Sequence, residues 1–85
     1  MARYMIEAPH TAAECLEALD EVLAKGAELL DKFHWGCMAG VHNGWAIVEA
    51  ESESAARNMV PPSQRGKWRI TEVTKITPEQ IEAYH

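Results

Sequence analysis

The chain has 85 residues, 47% of them hydrophobic and 25% charged, with a formal net charge of −5. That length sets the scale of one domain, and one small enough to gain from extra burial beyond its own core. The acidic balance argues against nucleic acid as a partner, no apolar run approaches a membrane span or signal peptide, and a cytoplasmic location is expected.

The two cysteines, Cys15 and Cys37, sit in apolar patterns. They read as small buried hydrophobes in a reducing compartment rather than as a disulfide framework.

In chain order, Ala2 to Ala8 is a short strand with Tyr4 and Ile6 on one face and Arg3, Met5 and Glu7 on the other. Pro9-His10 ends it. Thr11-Ala12-Ala13-Glu14 is a capping box. Ala12, Cys15, Leu16, Leu19, Val22 and Leu23 then recur at helical spacing. Gly26 either closes this helix or is passed over, since Leu29 and Leu30 continue the stripe. The continued stripe favours a helix running to about Asp31.

Phe33 to Ala50 contains two strand-like runs around Asn43-Gly44, a pair suited to a two-residue type I′ turn. That register sets His42 opposite Trp45, Val41 opposite Ala46 and Met38 opposite Glu49. It places Trp35, Cys37, Ala39, Val41, Ala46, Val48 and Ala50 on an apolar face suited to packed helices. His34, Met38, His42, Trp45, Ile47 and Glu49 fall on the other face. This second face is too apolar for simple solvation and too polar for a core, which suits a pocket wall or subunit interface.

Ser52 can cap a short helix carrying Ala55, Ala56, Met59 and Val60, and Pro61-Pro62 stops it. A polar loop follows from Ser63 to Lys67. Trp68 to Ile76 alternates and is β-branched, giving a fourth strand. Thr77-Pro78-Glu79-Gln80 is a second capping box with proline at N1, and Ile81 and Tyr84 give the last helix something to dock.

The expected fold is α+β: a ferredoxin-like βαββαβ domain over residues 1–85, with a four-stranded antiparallel sheet and a short C-terminal helix. Both helices would cover one sheet face. The bare face predicts self-association into a homodimer or higher oligomer enclosing a chamber.

Gly44-Trp45-Ala46-Ile47-Val48-Glu49-Ala50-Glu51-Ser52-Glu53-Ser54-Ala55 resembles the third strand and following helix cap of small bacterial proteins in the dimeric α/β-barrel superfamily. The closing strand with Ile76-Thr77-Pro78-Glu79-Gln80 is similar too. The resemblance implies a ferredoxin-like subunit, an oligomer and a pocket. It implies no particular reaction, because the superfamily includes monooxygenases, isomerases and ligand-sensing domains.

Three kinds of chemistry are open. The first is binding of a small apolar or aromatic ligand at the open face by Trp45, Ile47, Met38 and Tyr4. The second is cofactor-independent isomerase or monooxygenase chemistry with Glu49, His34 or His42 moving protons; its competitor is pairing of the strand carboxylates with Arg3, Arg69 or Lys75. The third is a metal site across a dimer. His34 and His42 on one strand would lie roughly 26 Å apart, so a site would need His10, His85 or a partner chain. Cys37 has no evident base beside it in this register, which disfavours a nucleophile. No cofactor is expected, and the partners expected are a second copy and a small aromatic ligand.

Overall fold

The computed structural model describes residues 1–85. Strand β1 spans Ala2–Glu7, helix α1 Cys15–Lys25, helix α2 Ala27–Lys32, strand β2 Phe33–Trp35 and strand β3 Gly44–Ala50. Helix α3 (Glu53–Arg57), strand β4 (Arg69–Val73) and helix α4 (Pro78–Ala83) complete the chain. The sheet is four-stranded with order β2-β3-β1-β4, and every neighbouring pair is antiparallel.

The period of two along β1 and β3 gives each strand one buried face. Tyr4, Ile6, Ala46, Val48 and Ala50 are buried there, together with Phe33, Ile70, Ala18 and Val22. Ala18 of α1 and Ala46 and Ala50 of β3 all belong to this core. The predicted stripe on α1 is turned from the observed one. Ala18 and Val22 are fully buried, whereas Leu16 and Leu23 are 69% and 51% exposed.

Both capping boxes form. The Glu14 carboxylate accepts from the Thr11 amide at 3.0 Å, and Gln80 Oε1 accepts from the Thr77 amide at 2.8 Å. Ser52 Oγ accepts from the Ala55 amide at 3.1 Å and starts α3. Gly26, in contrast, interrupts the first helix rather than being carried through. Its φ of 141° lies outside the helical region, so α1 and α2 are separate helices with a sharp turn between them.

The Asn43-Gly44 hairpin does not form. Strand β2 is three residues long, and Trp35 pairs with Gly44 while His34 pairs with Trp45. Cys37–Ala39 is a turn of 3₁₀ helix, closed by Gly40 at φ 85°. The connection reverses through backbone bonds from the Gly36 amide to Asn43 O and from the Val41 amide to Gly36 O, both 2.9 Å. Gly44 belongs to β3 instead of a turn because the Trp35 ring lies over it. A Cβ there would come within 2.6 Å of that ring.

Strand β4 stops at Val73, which pairs with Arg3 near the start of β1. Residues 74–76 continue past Val73 without a ladder partner. Helix α4 follows without docking: Ile81 is 51% exposed and Tyr84 89%. No helix is long and apolar enough to cross a membrane.

Candidate metal centre

Two connections meet at one end of the sheet: residues 8–14, leaving β1, and residues 36–43, joining β2 to β3. The β1–β3 pairing continues past the strands through Ala8 N to Gly44 O at 2.8 Å and His10 N to His42 O at 3.2 Å. Backbone bonds thus hold the two connections side by side before any side chain is considered.

Four side chains converge there. His10, Cys15, Cys37 and His42 each offer a ligand atom, and these atoms all lie within 4.8 Å of one another. Cys15 Sγ donates to Cys37 Sγ at 3.1 Å, and His10 Nε2 lies 3.3 Å from Cys37 Sγ. The His10 and His42 rings meet edge to face with centroids 5.8 Å apart. All four residues are half-buried.

The His10 tautomer follows from its neighbours. Nδ1 lies 2.9 Å from the Ala8 carbonyl, which can only accept, so Nδ1 carries the proton. Nε2 then keeps its lone pair and turns it toward Cys37. A backbone carbonyl orienting one imidazole nitrogen while the other faces the site is the usual support for a metal-binding histidine. His42 adds a buried Nδ1 with no hydrogen-bond partner in the protein.

The Cys15 thiol is held above its ordinary pKa by its hydrogen bond to Cys37 first and by desolvation second. Glu14, next to it, is shifted the other way. Its bonds to the Thr11 backbone and hydroxyl hold the carboxyl below the usual range.

Two cysteines and two histidines are a donor set that suits a tetrahedral zinc ion. Around zinc the two sulfurs would sit about 3.8 Å apart, and a sulfur and an imidazole nitrogen about 3.6 Å apart. The observed 3.1 and 3.3 Å contacts need only a small expansion to admit an ion.

The sequence-based candidates are dispersed. His34 is exposed on the open sheet face, on the strand opposite Trp45, and although it lies only three positions before Cys37 it is not one of the converging donors. His42 leaves that face and joins His10, so a single chain supplies the whole donor set and no partner is needed to complete it. Glu49 is exposed and pairs with Arg3 at 3.8 Å, the competing arrangement to a desolvated base. Of the four ligand-binding candidates, Trp45 and Ile47 share the open face. Tyr4 is 5% exposed on the opposite, helix-covered face, and Met38 is fully exposed on the 3₁₀ turn. The irregular connection between β2 and β3 removes the alternation that had put Met38 and His42 beside Trp45. It also gives Cys37 the nearby base, His10, that a regular strand denied it.

Cys15 and Cys37 are the residues that sequence reasoning passed over. A signal was present: His10 precedes Cys15, and Cys37 precedes His42, with the same number of residues between them. Counting cysteines together with histidines would have paired the two motifs.

The widest surface cleft lies elsewhere, about 530 Å³ around Lys25, Gly26, Leu29, Lys32 and Met59. A smaller one of about 290 Å³ runs along the open sheet face between Met5, His34, Trp45 and Ile47.

No family model, curated protein or solved structure matches the chain.

Proposed function

We propose that this protein binds one transition-metal ion, zinc by preference, through His10 Nε2, the Cys15 and Cys37 sulfurs and a ring nitrogen of His42. The convergence of four such donors within 4.8 Å is the observation that carries this reading. Two thiolates and two imidazoles favour zinc over hard cations, which take oxygen ligands. Four protein ligands fill a tetrahedral shell and leave no open position for substrate. The reading is therefore metal holding, with the ion tying two connections together, rather than metal-assisted catalysis. The proposed ion departs from the sequence-based expectation of no cofactor.

The test is metal titration of the reduced, metal-free chain followed by native mass spectrometry. One zinc per chain is expected. Cobalt in the same site should give thiolate-to-metal charge transfer and the intense visible bands of a tetrahedral centre. Cys37→Ser should lose both. Binding unchanged by Cys15→Ser, Cys37→Ser and His10→Ala would refute the assignment.

A second reading concerns the open sheet face. Ile47 is 51% exposed beside its cross-strand neighbour Met5, with Trp45 and His34 close by. This patch supports self-association between copies or occupation by a small apolar molecule. The strand order and the α1–α2 and α3 crossovers support the ferredoxin-like reading, and with it the likeness to dimeric α/β-barrel proteins. Native mass spectrometry of the same sample reports subunit number and any retained small molecule.

A further inference from the structure

We propose that Cys15 and Cys37 form an oxidisable pair, and that a low-molecular-weight disulfide converts them to an intramolecular disulfide that expels the metal. The expulsion rests on the metal reading above; closure of the pair does not.

The spacing of the sulfurs carries the inference. Their separation is 3.1 Å. A disulfide needs about 2.05 Å, and two thiolates on one tetrahedral zinc need about 3.8 Å. The observed position lies between these two states, and either is reached by moving the sulfurs about 1 Å or less. The two states exclude each other, because sulfurs bonded to one another no longer offer the two thiolates on which zinc binding depends.

The surroundings favour exchange. Both cysteines are half-buried instead of sealed in the core, so a small disulfide can reach them. No other cysteine is present to compete. Cys37 is the attacking sulfur, because His10 Nε2 lies 3.3 Å from it and can take up its proton. Cys15 is the resolving sulfur, already in contact with Cys37.

The chemistry balances in two exchanges. Cys37 sulfur attacks one sulfur of R–S–S–R, forming a Cys37–S–S–R bond and breaking the original one. The departing RS⁻ receives the proton that left Cys37. Cys15 sulfur then attacks Cys37 sulfur, forming the Cys15–Cys37 bond and releasing a second RS⁻, which takes the proton from Cys15. The protein loses two protons and two electrons, and the disulfide becomes two R–SH. When zinc is bound, its two bonds to sulfur break in place of the S–H bonds, and the ion leaves as both sulfurs are consumed.

The experiment uses glutathione disulfide on the full chain, with and without one equivalent of zinc, and follows free thiols, intact mass and zinc captured by a chromophoric chelator. The metal-free chain should lose both thiols and two hydrogens of mass without retaining glutathione. The zinc-loaded chain should release one zinc for every two thiols lost, and dithiothreitol should restore thiols and zinc uptake. Cys15→Ser should stop at a glutathione adduct on Cys37.

Thiols that stay free, a stable adduct on the unsubstituted chain, or zinc released with both thiols intact would each overturn the proposal. Zinc binding is measured before oxidant is added. A chain that takes up no zinc but closes the disulfide would therefore overturn the metal reading and the expulsion, while the oxidisable pair would stand.

Discussion

The His10 amide donates to the His42 carbonyl at 3.2 Å, so two histidines 32 positions apart in the chain are joined through their backbones. This bond continues the β1–β3 ladder beyond its last strand pair, Glu7 with Trp45. The donor set therefore rests on the sheet itself, and its approach is fixed by pairing that the core already stabilises.

Because the donors are assembled only in the folded chain, zinc should stabilise the fold. At a free zinc concentration one hundred times Kd, linkage gives about 2.7 kcal/mol. For a domain of this size each kcal/mol raises Tm by about 4–8 °C. Thermal scans should show this rise in the unsubstituted chain and its loss in His10→Ala and Cys37→Ser.

Zinc binding should release protons. In the metal-free chain Cys15 is held above its ordinary thiol pKa, so it is protonated at neutral pH and must lose that proton to bind as thiolate. Affinity should therefore weaken as pH falls. Calorimetry in two buffers of different ionisation enthalpy would give apparent heats that differ by the number of protons released times the difference between those enthalpies, and identical heats would contradict the role of Cys15.

Glu14 should contribute an acid-side dependence of stability. Its folded pKa is depressed by the Thr11 amide and hydroxyl, so the unfolded chain takes up its proton more readily. The contribution is present above the ordinary value of 4.5 and is lost as pH falls through the lower folded value. Urea midpoints of Glu14→Gln and the unsubstituted chain should converge as the medium becomes acid, because the carboxylate is the group removed.

Gly44→Ala should destabilise the fold by about 1–3 kcal/mol, the range for an inserted methyl group in a packed site. The new Cβ would meet the Trp35 ring at 2.6 Å, and displacing that ring would disturb its stacking on Phe33, 5.0 Å away. A urea titration would read the loss, and a change in tryptophan fluorescence should accompany it.

Ile47→Lys tests the open face. If that face joins two copies, native mass spectrometry should show a shift toward the single chain. Zinc uptake should be unchanged, because Ile47 is on β3 away from the donor set.

Local chemistry settled much of this molecule. Alternation along β1 separated Tyr4 and Ile6 from Met5, and alternation along β3 separated Ala46 and Val48 from Trp45 and Ile47, since a strand leaves a side chain no other choice. Which face of β1 joins which face of β3 came only from the pairing, which puts Tyr4 opposite Val48 and away from the open face. Thr11, Ser52 and Thr77 marked helix starts because an orphan amide near a chain reversal needs an acceptor within a few residues. The donor cluster is of another kind. Cys37 and His42 are an odd number apart, which on a regular strand sends them to opposite faces. Only the 3₁₀ turn between Gly36 and Gly40, together with the placement of Trp35 over Gly44, brings them around to His10 and Cys15. That choice depends on ring packing and long-range backbone pairing, so the residues were present in the sequence while their meeting was decided by the tertiary structure.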